Sequence, residues 1–120
     1  MSARILVVDD NADTVALMRA LLEAEGYRVA TALNGRDALH MLVTSADDAP
    51  CLVLLDLDMP QMDGRQLVNV MRSYLRFSHL PVVLITAYQR PSNFPPVEAV
   101  LAKPVGAALL LETVKRFCSA

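Results

Sequence analysis

The sequence has no excess of basic residues: 11 lysines and arginines stand against 13 aspartates and glutamates, which gives a net charge of −2. A basic face that would bind nucleic acid directly is therefore not expected. No apolar run reaches the roughly 18 residues that a membrane-spanning helix needs. Residues 1–4 have neither the length nor the layout of a signal peptide. These absences predict a soluble cytoplasmic protein that does not bind membranes.

Cysteine and histidine are scarce, with two residues of each type. Cys51 and Cys118 form no C-x-x-C motif, so we expect two buried free thiols. His40 and His79 have no partner at the spacing of metal ligands, and we expect them to be ordinary surface residues. A metal site built from cysteine or histidine is therefore not expected.

Apolar residues, in contrast, are plentiful: 54% of the chain is hydrophobic and 20% is charged. A chain of 120 residues without a linker or an internal repeat fits one domain, residues 1–120. Apolar runs of strand length alternate with helical patterns. The predicted strands are Arg4 to Val8, Tyr27 to Ala32, Cys51 to Leu55, Leu80 to Ile85 and Glu98 to Ala102. This alternation predicts an α/β fold, a doubly wound five-stranded parallel sheet in the flavodoxin-like order 2-1-3-4-5.

Helices are predicted where apolar residues recur at helical spacing. Asn11 or Asp13 can cap the first helix, Gly26 ends it, and the second covers Arg36 to Val43. The apolar positions are Val15, Met18 and Leu22 in the first helix, Leu67, Val70, Met71 and Leu75 in the third, and Leu110, Leu111, Val114 and Phe117 in the last. Prolines at positions 91, 95 and 96 exclude a long helix between the fourth and fifth strands.

Polar side chains follow four of the predicted strands at the point where each strand ends. They are Asp9 and Asp10, Asp56, Thr86 and Lys103. Since the carboxyl ends of parallel strands meet at one edge of the sheet, these five groups are expected to converge in one cleft. Their joint occurrence is the signal, because each alone is also common at a helix start or in a loop.

Three carboxylates at close range repel one another, so either their pKa values rise or a cation binds. Mg²⁺ is the predicted cofactor, because it is a hard cation that prefers oxygen ligands. Asp10 and Asp56 can bind it directly, Asp9 can hold a coordinated water, and the backbone carbonyl of Asp58 is a further candidate ligand. Lys103 adds a mobile positive charge. This set suits phosphoryl transfer onto Asp56, with the Thr86 hydroxyl donating to a phosphoryl oxygen.

At this point the sequence resembles the receiver domain of two-component response regulators, over nearly the whole chain. The matching motifs are R-I-L-V-V-D-D-N at residues 4–11, L-V-L-L-D-L-D-M-P-Q-M-D-G at 52–64, V-V-L-I-T-A at 82–87 and K-P at 103–104. The resemblance implies that Asp56 is the phosphoacceptor, that Asp9 and Asp10 are the Mg²⁺-binding acids, and that Thr86 and Lys103 contact the phosphoryl group. It also implies that Pro60 and Gly64 shape the loop beside the site.

The same resemblance implies a partner and a limited reactivity. The phosphodonor would be a histidine kinase or a histidine phosphotransfer protein. The domain would phosphorylate itself from that donor and lose the group slowly, without being an enzyme in the ordinary sense. The output partner is unknown, and a homodimer is possible.

Two departures from the family pattern concern the output, that is, how phosphorylation would be passed on to a partner. Val100 stands where the family usually has an aromatic residue, which puts the usual coupling of that aromatic residue to the threonine in doubt. Only 16 residues separate Thr86 from Lys103, several fewer than is usual in the family. The helix that the family has between the fourth and fifth strands is therefore expected to be shortened, irregular or missing. The way in which the domain passes its signal to a partner, its output, is expected to be atypical.

Two alternatives remain open. The domain could be a degenerate receiver that acts as a docking or dimerisation module without phosphorylation. Val100 and the prolines between the fourth and fifth strands favour this alternative. Alternatively, the sequence Asp56-Leu57-Asp58 resembles the D-x-D motif of phosphatases that form aspartyl phosphates. Against the phosphatase, the acid pair Asp9-Asp10 comes first in the chain and no cap domain is apparent.

Overall fold

A computed structural model describes residues 4–45, 48–57, 64–87 and 94–118 of the chain. The strands are β1 (Arg4–Val8), β2 (Arg28–Ala32), β3 (Leu52–Asp56), β4 (Val82–Thr86) and β5 (Ala99–Ala102), and the helices are α1 (Ala12–Ala24), α2 (Gly35–Thr44), α3 (Gly64–Ser73) and α4 (Ala107–Phe117). All five predicted strands are present, with ends within two residues of the predicted ones. No described helix is long and apolar enough to cross a membrane.

The strands form one parallel sheet in the order β2-β1-β3-β4-β5, which confirms the predicted fold class. Helices cover both faces of the sheet, so the central strands β3 and β4 are buried along their whole length. The register aligns Val8 with Leu55, and Asp56 with Ile85. The residues that follow β1 therefore lie beside the end of β3, as the sequence predicted.

Two apolar clusters fill the spaces between the sheet and its helices. On one face, α1 contributes Val15, Met18 and Leu22, and α4 contributes Leu110 and Val114. On the other face, α2 and α3 contribute Ala38, Leu42, Leu67, Val68 and Met71. The buried residues repeat every three or four positions, which confirms the amphipathic pattern on which the helices were predicted.

Among the described residues between β4 and β5, which are 87 and 94–98, no helix occurs. Phe94 and Val97 instead pack on the face that α2 and α3 cover. The Arg72 guanidinium donates to the Pro96 carbonyl from Nη2 at 3.1 Å and from Nε at 3.3 Å. The Glu98 carboxylate accepts a hydrogen bond from the Val82 N–H at 2.7 Å. Non-helical chain, fastened by Arg72 and Glu98, thus covers part of this face.

The helix ends follow local sequence signals with one exception. The Asn11 side chain accepts from the Thr14 N–H at 3.0 Å, so Asn11, rather than Asp13, caps α1. Gly26 has φ 94°, the left-handed conformation that ends a helix at low cost in glycine. The prediction that Leu75 lies on the buried face of the third helix is wrong: α3 ends at Ser73, and Leu75 begins a short 3-10 helix with 93% of its surface exposed.

The prediction of two free thiols is also wrong, because Cys51 and Cys118 form a disulfide with a Cα–Cα distance of 5.8 Å. Cys51 directly precedes β3 and Cys118 directly follows α4. Sequence separation gave no sign of this pairing, because only the packing of α4 across the sheet brings the two ends together. His40 and His79 are exposed, as predicted.

Candidate functional site

The carboxyl ends of β1 and β3 bring three acids together. Because Val8 pairs with Leu55, the next residues, Asp9 and Asp56, stand side by side at the edge of the sheet. Each of Asp9, Asp10 and Asp56 offers a carboxylate oxygen, and these three oxygens all lie within 4.8 Å of one another. The structure thus brings together the acids that the sequence singled out.

The three acids differ in their exposure to solvent. Asp9 and Asp56 each expose 4% of their surface, whereas Asp10 is exposed. Burying a carboxylate is costly unless a donor or a cation compensates the lost hydration. The cluster therefore has two acids in its interior and one at its mouth, where a small ligand would enter.

Lys103 supplies the positive charge that faces these acids. Its Nζ lies 2.9 Å from Asp56 Oδ1 and 3.9 Å from Asp9 Oδ2. Its backbone N–H donates to the Thr86 carbonyl at 2.9 Å, which fixes the lysine one residue beyond the end of β5. Among the described residues, one ammonium group thus faces three carboxylates, so negative charge is in excess here.

Electrostatics shift the pKa values of two groups in the cluster. Burial, followed by repulsion from Asp56 and Asp10, raises the pKa of Asp9, and these effects outweigh the Asn11 N–H and Lys103, which lower it. Burial alone would lower the pKa of Lys103, but its hydrogen bond to Asp56 and the attraction of all three acids raise it. Lys103 therefore stays charged, and Asp9 is the acid whose ionisation the fold opposes.

Thr86 is the last residue of β4, and only 1% of its surface is exposed. It follows Ile85, the partner of Asp56 in the sheet, and Ile85 accepts a hydrogen bond from the Leu57 N–H at 3.3 Å. All the predicted polar groups within the described residues therefore lie at one edge. Asp58 and Pro60, which the sequence also singled out, lie outside the described residues.

Gly64 shows why a glycine is needed beside the site. A Cβ at this position would lie 3.2 Å from the Cα of Leu57 and 3.3 Å from its carbonyl oxygen. The Gly64 N–H also donates to that carbonyl at 3.3 Å. The absent side chain lets α3 begin close to the residue that follows Asp56.

The sequence reasoning missed two features of this edge. The Asn11 N–H donates to Asp9 Oδ1 at 2.9 Å, a contact beyond the helix cap that the sequence predicts for Asn11. The signal was present, because free N–H groups at a helix start attract nearby carboxylates. An apolar groove of about 530 Å³ also adjoins Lys103, between α1 and the start of α4. Its lining includes Leu17, Met18, Leu21, Pro104 and Val105.

The sheet order and this edge define a class of protein: a flavodoxin-like α/β domain with its site at the carboxyl ends of the strands. The family model described as "Response regulator receiver domain" matches residues 5–115. The chain belongs to this family, which confirms the resemblance noted in the sequence. Receiver domains are phosphoacceptors and not classical enzymes, which sets aside the phosphatase alternative.

Known proteins support this assignment. The chain is 42% identical to the response regulator PleD of Caulobacter vibrioides over 120 residues, which are 96% of this chain but only 26% of PleD. The chain therefore spans about a quarter of that relative. The response regulator TrrA of Thermotoga maritima, solved in complex with Mg²⁺-BeF, has a TM-score of 0.85 and 30% identity, and the match covers 96% of this chain and 98% of TrrA. The chemotaxis protein CheY4 of Vibrio cholerae gives a TM-score of 0.85 at 26% identity, over 98% of this chain and 99% of CheY4.

Proposed function

We propose that Asp56 accepts a phosphoryl group from a phosphohistidine of a partner protein, and that this switches a protein–protein interaction surface. One observation carries the proposal: the buried Asp56 carboxylate lies 2.9 Å from the Lys103 ammonium and within reach of two further acids. This arrangement places a nucleophile, a positive charge and a candidate cation site at one point.

The donor set fits Mg²⁺. Three carboxylates with oxygens within 4.8 Å, one of them exposed, suit a hard cation that keeps part of its water shell. Asp9, Asp10 and Asp56 would hold the ion, and the carbonyl of Asp58 stays a predicted further ligand. When bound, Mg²⁺ supplies positive charge that offsets the negative charge on the phosphoryl oxygens.

The side chains of this protein have separate roles in the proposed transfer. An Asp56 carboxylate oxygen attacks phosphorus, the bond from phosphorus to the donor histidine nitrogen breaks, and its electron pair returns to the imidazole. Lys103 exchanges its bond to Asp56 Oδ1 for one to a phosphoryl oxygen, and the Thr86 hydroxyl donates to another. The burial of Asp56 limits the access of water. This is consistent with slow loss of the phosphoryl group.

The proposed donor is a histidine kinase or a histidine phosphotransfer protein, and the proposed location is the cytoplasm. A donor must approach on the side of Asp10, where the acidic cluster is exposed. The apolar groove beside Lys103 adjoins this approach, and Leu17 on its rim exposes 63% of its surface. A partner helix with an apolar face would cover this surface and bring its phosphohistidine to Asp56.

The test is labelling of the purified domain by a small phosphodonor such as acetyl phosphate, with Mg²⁺ present. We expect labelling of the wild type, none of Asp56→Asn, and none of the wild type after chelation of Mg²⁺. Asp13→Asn is the matched control, because Asp13 is an exposed acid in the first turn of α1, outside the cluster. Labelling of Asp56→Asn to the full extent would refute the proposal.

A degenerate receiver that docks partners without phosphorylation is the second candidate. It is favoured by the lack of a helix among described residues 87 and 94–98, and by Val100, which is half-buried where the family usually has an aromatic residue. Beryllofluoride with Mg²⁺ separates the two candidates. If neither acetyl phosphate nor beryllofluoride produces labelling or a spectral change, the docking function is the better account.

A further inference from the structure

The disulfide joins Cys51 to Cys118 at the edge of the sheet opposite the acidic cluster. Cys51 lies immediately before β3, whose other end carries Asp56, and Cys118 lies immediately after α4. The two cysteines are 67 residues apart in sequence. The bond therefore links the last helix to the strand that carries the proposed phosphoacceptor.

Both cysteine backbones make hydrogen bonds that do not involve the sulfur–sulfur bond. The Cys51 N–H donates to the Arg4 carbonyl at 2.8 Å, and the Cys118 N–H donates to the Val114 carbonyl at 2.9 Å. The Tyr27 hydroxyl donates to the Cys118 carbonyl at 3.2 Å. Because these bonds do not involve sulfur, the two thiols would stay close to each other after reduction. The high effective concentration of one thiol near the other favours renewed closure.

The two cysteine residues differ in their exposure to solvent. Cys118 exposes only 4% of its surface, whereas Cys51 is partly exposed. We therefore expect a reductant to approach the pair from the side of Cys51. Access is one of the factors that decide which sulfur of a disulfide is attacked.

We propose that Cys51 and Cys118 form a reversible thiol–disulfide exchange site whose oxidation state controls how firmly the C-terminal end of α4 is held. The reductant is a dithiol. One of its thiolates attacks the Cys51 sulfur, Cys118 leaves as a thiolate and takes up a proton, and a mixed disulfide forms on Cys51. The second thiolate of the dithiol then releases Cys51, which also takes up a proton. Two electrons and two protons pass to the pair, and the dithiol becomes a disulfide.

This site goes beyond the proposed function, because it uses none of the groups around Asp56. In a reducing compartment, the disulfides that do form in mesophilic proteins are usually transient, catalytic or redox-sensing. In the reduced state, α4 is held by its apolar residues Leu110 and Val114 and by the Tyr27 bond to Cys118.

The first experiment titrates the purified wild-type chain with mixtures of reduced and oxidised dithiothreitol and counts alkylated thiols by mass spectrometry. We expect a change from no alkylated cysteine to two, reversed when the oxidised reagent is restored. The reduced form should melt about 10 °C or more below the oxidised form, because the cross-link restricts the unfolded chain over a long loop. Hydrogen exchange should accelerate about tenfold or more at residues 114–118 and stay unchanged within β3.

The control is the double variant Cys51→Ser with Cys118→Ser, which should behave like the reduced wild type at every ratio of the reagents. Two free thiols in the oxidised protein, or equal melting temperatures and exchange rates in both states, would overturn the proposal. A bond that opens only when the chain is unfolded would make it a permanent brace and would also overturn it. The wild-type titration decides these outcomes even if the double variant does not fold.

Discussion

The two edges of the sheet use their charged residues in opposite ways. At the amino edge, where the strands begin, the Asp48 carboxylate accepts two hydrogen bonds of 2.8 Å from Arg28. The backbone carbonyl of Asp48 accepts a hydrogen bond from the Arg4 guanidinium at 2.7 Å. Arg72 and Glu98 form a further ion pair, at 3.5 Å, beside the starts of β4 and β5. At the carboxyl edge, three acids face Lys103 alone among the described basic residues.

This difference separates the edge that stabilises the fold from the edge that carries the proposed site. At the amino edge, each described acid, Asp48 or Glu98, is paired with an arginine, and the disulfide closes this same edge. Among the described residues, the carboxyl edge sets three acids against one lysine, and this excess of negative charge is the basis of the proposed cation site. One sheet therefore has paired charges and a disulfide at one end and the proposed phosphoacceptor site at the other.

The largest effect is expected from removing Lys103, the basic residue that faces the three acids among the described residues. Lys103→Met should slow the labelling of Asp56 by acetyl phosphate about 100-fold, because a fixed charge that stabilises the transferring group is lost. Labelling is followed by intact-protein mass spectrometry over time. Lys115→Met is a matched control, because Lys115 is the only other lysine in the sequence and is exposed on α4. A Lys103→Met rate within twofold of the wild type would contradict the role of this lysine.

An intermediate effect, a loss of stability, is expected from replacing Arg72 at the amino edge. Arg72 donates to the carbonyls of Phe77, Leu80 and Pro96, and its side chain is only 16% exposed. Arg72→Met keeps the aliphatic stem but removes these donors, so the free energy of unfolding should fall by about 2–3 kcal/mol. Urea denaturation measures this change. Arg36→Met, at an exposed position of α2, should change stability by less than about 0.5 kcal/mol, and an equal loss in both variants would contradict the anchoring role.

The smallest effect is expected from replacing Asp9, and here the stability should rise instead of fall. Because the folded state raises the pKa of Asp9, its charged form costs stability at neutral pH, and Asp9→Asn should stabilise the metal-free protein by about 1 kcal/mol. As the pH falls through the raised pKa toward the ordinary value of 3.8, the wild type becomes protonated and the difference should vanish. Urea denaturation at neutral and acidic pH measures both changes. A variant less stable than the wild type at neutral pH without metal would show that the acids do not strain the fold.

Much of the fold and of the site could be predicted because the signals are local. The run from Arg4 to Val8 is a strand because its side chains are apolar, and Asp9 lies at the edge of the sheet because the strand ends there. Parallel order then brings Asp9, Asp56 and Lys103 together without any long-range information. The features that were missed depend on distant contacts. The disulfide requires α4 to cross the sheet, and the exposure of Leu75 requires α3 to end at Ser73, which no residue near that helix end signals.

The link between β4 and β5 has a consequence for how the chain could change in evolution. Twelve residues separate Thr86 from Ala99, which is near the lower limit of about a dozen residues for a connection between parallel strands. A deletion here would shorten an already short crossover and weaken the pairing of β5 with β4, whereas an insertion costs little loop entropy. This connection can therefore lengthen, by acquiring a helix or a recognition segment, far more readily than it can shorten.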